Sequence, residues 1–288
     1  FFKRLKMSII LSGHPGFPFF YGFNLNHFGK KTKSINPTLI YQLIPNGTLY
    51  NQLIQSNQFS QNTLLTNTKK QILILGLAIA INYMHHNHIC HLDLKPDNIL
   101  FDQQFYPVIC DLGSARFLNV NENDEVINFV SSDVSAPLYT APEILSMQKF
   151  DEKSDVYSFG YLLYFIISGV QPKIEAPTLN DLYQKLINGE RPDLSCIYNI
   201  QETFDNYPIE FGVDQLHKSL LSLKHKDTPR GFVQLISQCW DGDPQKRPTF
   251  SEIINRLLNQ RDLLLNNVDI KAVNEYLRNF DTIINIAG

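Results

Sequence analysis

The sequence has little of what would place it in a membrane or on a nucleic acid. Its longest apolar runs, residues 72–81 and 159–167, are shorter than the roughly 18 residues that an apolar helix needs to cross a bilayer. The formal net charge is -3, so there is no basic excess that would attract nucleic acid or an anionic surface. We therefore expect neither a membrane span nor a nucleic-acid partner, and we interpret the apolar runs as core helices.

Cysteine is also scarce. Four cysteines occur in 288 residues, and their spacing matches no common metal site. Three of them, Cys90, Cys110 and Cys239, lie in apolar runs, which favours buried free thiols and a reducing, cytoplasmic compartment. The length allows one large domain, or a small lobe joined to a large one.

Acidic residues are absent from residues 1–92, and the first one lies in a dense group of polar side chains. Residues 89–100 read Ile-Cys-His-Leu-Asp-Leu-Lys-Pro-Asp-Asn-Ile-Leu, so apolar flanks hold the polar positions in a loop. In such a loop Asp93 can accept a proton from a hydroxyl, Lys95 can neutralise a moving phosphoryl group, and Asn98 can bind a divalent cation. The alternative is a polar loop that only caps helices.

A second carboxylate follows a short apolar segment. Residues 107–110 are expected to form a buried strand, because they are a short apolar run that ends at a polar turn. That turn is Asp111-Leu112-Gly113. We expect Asp111 to face the same metal ion as Asn98.

These two segments and three more downstream resemble the motifs of the protein kinase family. Residues 91–98 are similar to its catalytic loop H-R-D-L-K-x-x-N, and residues 111–113 to its D-F-G. Further matches are A-P-E at residues 141–143, S-D-V-Y-S-F-G at residues 154–160, and Cys239-Trp240 with Arg247-Pro248. The resemblance implies an α+β fold with a mostly helical C-lobe and an incomplete β N-lobe.

The resemblance also implies roles for the residues of the site. Asp93 is the expected catalytic base and Lys95 its phosphate partner, while Asn98 and Asp111 are expected to hold Mg²⁺ beside ATP. The residues expected to bind the nucleotide are Tyr41 at the gatekeeper position, Gln42, Leu43 and Ile44 of the hinge, and Leu100.

Four residues are expected to support this site. His91 should pack in the core beneath it. Asp155 should accept hydrogen bonds from the backbone of the catalytic loop, serve as a helix N-cap, or do both. Glu143 should pair with Arg247, and the loss of either partner would leave a buried charge unpaired.

By the same resemblance, residues 1–47 form a partial N-lobe and hinge, residues 48–260 the C-lobe, and residues 261–288 a helical tail. The chain starts at Phe1 rather than at a methionine, so we expect a fragment that enters the N-lobe partway. An insertion at about residues 195–228 exceeds the family pattern. The insertion or the tail could bind a partner, although a tail that covers its own lobe is the simpler expectation.

The chain departs from the family pattern on the N-terminal side. It contains no G-x-G-x-x-G loop before the hinge and no acidic residue before Asp93. The helix glutamate that pairs with a strand lysine in the family is therefore missing, and Leu5 or a neighbour takes its place.

Leu92 replaces the arginine that binds an activation-loop phosphate in many kinases. We therefore expect phosphorylation of Ser131, Ser132 or Ser135 to change activity less than it does in kinases that carry the arginine.

The sequence predicts a Ser/Thr protein kinase of the tyrosine-kinase-like group that uses ATP and Mg²⁺ on a protein substrate. A pseudokinase or scaffold is the alternative, because the glycine-rich loop and its ion pair are missing. A small-molecule phosphotransferase shares the H-x-D and N pattern but lacks the motifs at residues 141–143 and 154–160. The nearby His85, His86 and His88 could form a metal cluster. A helix C-terminus also favours cations, however, so histidines occur there without binding a metal.

Overall fold

The computed structural model describes residues 1–25, 37–59, 65–118, 136–197 and 229–280. Their helices are α1 (Phe2–Leu11), α2 (Leu49–Phe59), α3 (Asn67–His86), α4 (Pro142–Leu145), α5 (Glu152–Ser168), α6 (Leu179–Ile187), α7 (Arg230–Cys239), α8 (Phe250–Asn259) and α9 (Ile270–Arg278). Their strands are β1 (Phe20–Asn24), β2 (Thr38–Tyr41), β3 (Ile89–Cys90), β4 (Ile99–Phe101), β5 (Pro107–Ile109) and β6 (Arg116–Phe117). The predicted α+β class is confirmed, with helices predominant.

Helices α3 and α5 form the centre of the larger part of the fold. Residues 72–81 of α3 and 154–168 of α5 are all buried, because both helices carry apolar side chains on nearly every face. Helix α3 is capped by the side chain of Thr66, which accepts from Lys69 N. Helix α5 ends at Gly169, whose φ of 67° is the left-handed conformation that glycine adopts without strain. The two apolar runs are core helices, as the sequence predicted.

Helix α5 begins one turn earlier than the sequence predicted. Its N-cap is Asp151, whose Oδ1 accepts a hydrogen bond from Lys153 N at 2.8 Å. Asp155 lies within the first turn and is completely buried. The prediction that Asp155 is also an N-cap is therefore wrong, because the capping position is already filled and Asp155 points into the core.

In the part of the chain that the structure describes, three two-stranded antiparallel sheets pair β1 with β2, β3 with β6 and β4 with β5. In the β4–β5 sheet Ile99 lies opposite Ile109, and both side chains are buried. The residues that flank this pair are also bonded: Cys110 N donates to Asn98 O at 2.9 Å. The register of this sheet therefore brings the two segments with predicted metal ligands side by side.

Residues 1–25 and 37–44 form a smaller layer that the other described residues cover only in part. Helix α1 buries only Met7, Ser8 and Leu11. Large apolar side chains of this layer remain exposed, among them Phe2, Tyr21 and Leu43. The layer is joined to strand β5 of the rest of the fold, because Ile109 N donates to Gly16 O at 2.8 Å.

The C-terminal segment packs against α3. The buried Gln71 donates to Leu263 O and accepts from Leu265 N, both at 3.1 Å. Tyr276 of α9 fits against Gly76, where an added Cβ would lie only 2.1 Å from the tyrosine hydroxyl. Helix α9 thus covers its own lobe. The end of the tail, residues 281–288, most of the predicted insertion, residues 198–228, and Ser131, Ser132 and Ser135 lie outside the described residues.

Within the described ranges, the helices are all too short or too polar to span a bilayer. Cys90, Cys110 and Cys239 are free thiols, as predicted. Burial raises the pKa of Cys110 to about 11 and that of Cys239 to about 12. Both thiols are therefore protonated at neutral pH and are poor nucleophiles.

Candidate active site

The loop between β3 and β4 is held in place by Asp155 of helix α5. Its two carboxylate oxygens accept from His91 N and Leu92 N, both at 2.8 Å. The ring Nε2 of His85 lies 2.9 Å from Oδ2. Burial raises the pKa of Asp155, but the hydrogen bond and charge of His85 and the backbone donors outweigh burial and hold the pKa below its usual value.

The ionised Asp155 supports an unusual backbone conformation. Leu92 has a φ of 63°, in the left-handed region that a leucine rarely adopts without support. The hydrogen bond from Leu92 N to Asp155 fixes this turn. As a result the residue that follows, Asp93, projects from the loop at a set angle.

His91 is fully buried beneath the loop. Its Nδ1 accepts from Asp93 N at 3.3 Å, and its Nε2 donates to Cys110 O at 3.1 Å. These roles correspond to the Nε2–H tautomer. The sequence predicted only packing for His91, whereas the structure shows that it also links the loop to the end of β5.

Asp93 is held by two neighbours and is still accessible. Lys95 Nζ donates to its carboxylate oxygens at 2.8 and 3.1 Å. Asn98 Nδ2 donates to Oδ2 at 3.0 Å and to the backbone carbonyl of Asp93 at 2.7 Å. The Asp93 side chain is 21% exposed, so a substrate hydroxyl can reach a carboxylate whose orientation is already set.

Asp111 follows Cys110, whose backbone N–H donates to Asn98 O. Its φ is 59°, and its Oδ1 accepts from Gly113 N at 3.0 Å, which fixes the carboxylate. Because Asn98 uses its amide nitrogen toward Asp93, the amide oxygen is the atom left for a cation. An amide oxygen beside a carboxylate suits a hard cation such as Mg²⁺, so these residues fit the predicted ion.

A cavity of about 830 Å³ lies between the N-terminal layer and the β4–β5 sheet. Its size is in the range of small-molecule sites. The residues predicted to bind the nucleotide all line it, namely Tyr41, Gln42, Leu43, Ile44 and Leu100. Asp111 lines it too, whereas Asp93, Lys95 and Asn98 do not. Asp111 is therefore the predicted site residue that belongs to both the cavity and the catalytic loop region.

The hinge is fixed on both sides. Gln42 N donates to Phe19 O at 2.8 Å, so Gln42 can offer a ligand its backbone carbonyl but not its N–H. On the other side Asn46 N donates to Phe101 O, and Phe101 N donates to Gly47 O, both at 3.1 Å. These bonds set the position of Leu100 relative to the hinge.

With this geometry established, comparison with known proteins identifies the family. The Protein kinase domain family matches residues 24–258. The chain belongs to the protein kinase family. Its predicted catalytic, metal-binding and nucleotide-binding residues all lie within the matched range.

Three relatives illustrate the similarity of this kinase domain to others. The chain is 33% identical over 232 residues to the probable serine/threonine-protein kinase roco5 of Dictyostelium discoideum, a match that covers 76% of this chain and 7% of that protein. It is 28% identical over 222 residues to the dual specificity protein kinase shkB of the same organism, covering 75% and 28%. It is also 28% identical over 232 residues to serine/threonine-protein kinase 12 of Arabidopsis thaliana, covering 80% and 42%. The chain thus spans less than half the length of each of these relatives.

The kinase domain contains a buried ion pair behind the site. Arg247 donates to the two carboxylate oxygens of Glu143 at 2.7 and 2.9 Å. Ser154 Oγ also donates to Glu143 at 2.8 Å, and Arg247 donates to the carbonyls of Asp241 and Lys153. Because both charged groups are buried and hydrogen-bonded, removal of one would leave the other without compensation.

Three residues near the site, Arg4, Ser8 and His85, have positions that the sequence did not indicate. His85 was considered only as a metal ligand, yet it bonds to Asp155, while His86 Nδ1 lies 2.9 Å from Asn82 O. Ser8 and Arg4 of α1 line the cavity. The sequence suggested Leu5 or a neighbour for this part of the helix, and the neighbour that lines the cavity is Arg4. Which side chains of a helix face the cavity depends on how the helix is rotated, and the mixed polarity of the neighbouring residues does not indicate that rotation.

Another group of residues could in principle bind a metal ion. His85, Cys90 and Asp155 are buried, and their potential ligand atoms lie within 4.8 Å of one another. Both oxygens of Asp155 already accept backbone hydrogen bonds, and Oδ2 also contacts His85. We therefore attribute this group to support of the catalytic loop.

Proposed function

We propose that this chain is the catalytic region of a protein kinase that transfers the γ-phosphoryl group of ATP to Ser or Thr hydroxyls of proteins. The observation that carries the proposal is the arrangement of Asp93, bonded to Lys95 and Asn98 and left accessible. A loop that only capped helices would need neither the buried support of Asp155 nor this set of contacts.

In the proposed reaction Asp93 orients the acceptor hydroxyl and accepts its proton. Lys95, held beside Asp93, offsets negative charge on the phosphoryl group during transfer. Asn98 orients Asp93 through its amide nitrogen. Because these contacts exist without substrate, little reorganisation is needed when the hydroxyl arrives.

Asn98 and Asp111 would hold Mg²⁺, and the ion would supply neutralisation of phosphate charge when bound. Adenine would lie in the 830 Å³ cavity, against Leu100 and the hinge. Of the hinge groups, the carbonyl of Gln42 and the backbone of Leu43 and Ile44 remain as candidate partners for the base. Tyr41 would limit the depth of the cavity behind the base.

Ser/Thr specificity and the tyrosine-kinase-like group are the finer parts of the proposal. Lys95, two residues after Asp93, is the choice of Ser/Thr kinases, and two of the relatives described above are named as serine/threonine-protein kinases. A third is named as dual specificity, so tyrosine must be included among the tested acceptors. We further propose a cytoplasmic location, which the free thiols favour.

A second candidate function is a pseudokinase that binds partners without catalysis. The observation that favours it is Arg4, a cation on the helix where the family carries a glutamate. Under this function the tail or the insertion would be the partner surface.

The deciding experiment is ATP-dependent phosphate incorporation by the protein at its natural length, with Ser, Thr and Tyr peptides as acceptors. We expect transfer to Ser or Thr peptides, and an Asp93→Asn variant should lose at least roughly 100-fold of it, the contribution of a general base. Asp97→Asn is the matched control, because Asp97 is an exposed acid of the same loop. Absence of transfer by the unaltered protein, with nucleotide still bound, would favour the pseudokinase.

A further inference from the structure

Arg4 brings a positive charge into a cavity whose other lining residues carry few charges. Of the described residues that line the cavity, Arg4 alone has a cationic side chain and Asp111 alone an anionic one. Arg4 Nη2 donates to Gly113 O at 3.2 Å. A guanidinium has five N–H donors, so one bond to a carbonyl leaves donors for further oxygen atoms.

Arg4 lies beside the predicted metal ligand. A Cβ built on Gly113 would lie 2.9 Å from Asp111 Oδ1 and 3.3 Å from Arg4 Nη2. The guanidinium and the carboxylate therefore flank the same glycine. A triphosphate whose metal ion is held at Asp111 would have its oxygen atoms within reach of Arg4.

Two guanidinium groups converge on this turn. Arg116 Nη1 lies 3.4 Å from Gly113 O, the carbonyl that Arg4 also contacts. Burial, and then the charge of Arg4, lower the pKa of Arg116. Two like charges that share one neutral acceptor repel each other, and an anion between them would relieve the repulsion.

The backbone that carries Arg4 is tied to the nucleotide side of the cavity. Ser8 Oγ donates to Arg4 O at 2.7 Å, which uses its one proton. Tyr41 Oη, 2.6 Å from Ser8 Oγ, must therefore be the donor in that contact. Through Ser8, the turn of α1 that bears Arg4 is fixed relative to the strand that leads into the hinge.

We propose that Arg4 binds the phosphate groups of the nucleotide, as the cationic phosphate contact contributed by helix α1. The inference rests on the proposed nucleotide binding and extends it. In the family pattern a glutamate on this helix acts indirectly, by holding a lysine. Arg4 has the opposite charge, so it would instead contact the phosphates itself, with the planar geometry that suits bidentate phosphate contacts.

The test is equilibrium binding of ATP, ADP and adenosine, measured by calorimetry on the protein at its natural length with Mg²⁺ present. For Arg4→Gln we expect ATP affinity to fall at least tenfold and adenosine affinity to stay within twofold, because adenosine has no phosphate. Lys3→Gln is the matched control. Lys3 is an exposed cation next in the same helix and does not line the cavity, so all three affinities should stay within twofold.

Arg4→Lys keeps the charge but not the planar fork, so its ATP affinity should fall between those of Arg4→Gln and the unaltered protein. Unchanged ATP affinity in Arg4→Gln would overturn the proposal. An equal loss of ATP and adenosine affinity would overturn it too, because it would assign Arg4 to support of the Gly113 turn. If the unaltered protein bound adenosine and ATP equally weakly, the proposed kinase function itself would fail.

Discussion

Two walls border the 830 Å³ cavity, and they are built by different means: the N-terminal wall is the layer that contains α1, and the C-lobe wall is the β4–β5 sheet with the helices behind it. Behind the C-lobe wall, the charged groups Asp155 and Arg247 are 0% and 1% exposed and each makes several hydrogen bonds. On the N-terminal side helix α1 is tied by single contacts, while Phe2 and Ile9 are 79% and 60% exposed.

This difference indicates how each wall contributes to function. The buried Asp155 holds the loop before β4 in one arrangement through His91 N and Leu92 N, so the geometry proposed for catalysis would be preorganised there. The thinly packed N-terminal wall is expected to have a lower local stability, and under the proposed function it would contribute contacts with the nucleotide. Substitutions in the first wall should change stability or rate, whereas those in the second should change nucleotide affinity.

The largest expected effect is on catalysis. Asp111→Asn removes the carboxylate proposed to bind Mg²⁺ but keeps an oxygen that can accept from Gly113 N. We expect transfer to fall roughly 1,000-fold or more, about 4 kcal/mol, with a melting temperature within about 2 °C of the unaltered protein. Phosphate incorporation and thermal melting of the protein at its natural length provide the two readouts. Retained Mg²⁺-dependent transfer would contradict the assignment of Asp111.

The next effect is on stability. Glu143→Ala leaves Arg247 buried without its partner, which should cost about 3–5 kcal/mol and lower the melting temperature by roughly 10 °C. Glu175→Ala is the control, because Glu175 forms an exposed ion pair with Lys173 that should contribute under about 1 kcal/mol. Similar melting temperatures for the two variants would show that the buried pair does not stabilise the C-lobe wall.

His14 packs against Tyr83 of helix α3 and should make stability depend on pH. Its ring stacks on Tyr83 with centroids 4.6 Å apart, and its Nδ1 accepts from Gly16 N at 3.0 Å. Burial lowers the pKa of His14 from 6.5 to about 4. The unfolded chain therefore binds the extra proton first, so stability should be full above pH 6.5 and fall as the pH drops from 6.5 to 4.

The loss from this group is about 3 kcal/mol. It can be measured by denaturant unfolding of the unaltered protein and of His14→Phe across that pH range. The variant loses the Gly16 hydrogen bond at every pH, so the informative quantity is the difference in slope. Parallel profiles would mean that His14 does not contribute to acid sensitivity.

The smallest effect tests how α9 is fixed to the C-lobe wall. In Gly76→Ala the new Cβ would lie 2.1 Å from Tyr276 Oη and 2.7 Å from Pro107 Cγ. We expect a loss of about 1–2 kcal/mol in denaturant unfolding, because the clash outweighs the gain in helix propensity. Gly13→Ala, whose Cβ would meet nothing within 4 Å, should be near neutral. Adding Tyr276→Phe to Gly76→Ala should recover part of the loss.

Much of the site could be predicted from sequence because its residues lie in short contiguous motifs. The catalytic loop and the Asp111 turn each occupy a few positions, so type and spacing alone pointed to their chemistry. The lining of the cavity by Tyr41 and Leu100 was likewise predictable, because the resemblance to the kinase family indicates which segments form the hinge and the catalytic loop. Arg4, Ser8 and His85 belong to helices, where the direction of one side chain depends on how the whole helix packs.

The sequence by itself indicated the family and the helical core, and it predicted roles for Asp93, Asn98 and Asp111, because local patterns of polarity carry that information. Only the tertiary structure decided that Asp151 caps α5 while Asp155 supports the loop. It likewise decided that, of Leu5 and its neighbours, Arg4 is the residue that lines the cavity. The physical reason is that burial and hydrogen bonding join residues far apart in the chain, as His85 and Asp155 are, and neither spacing nor composition records which of them will meet.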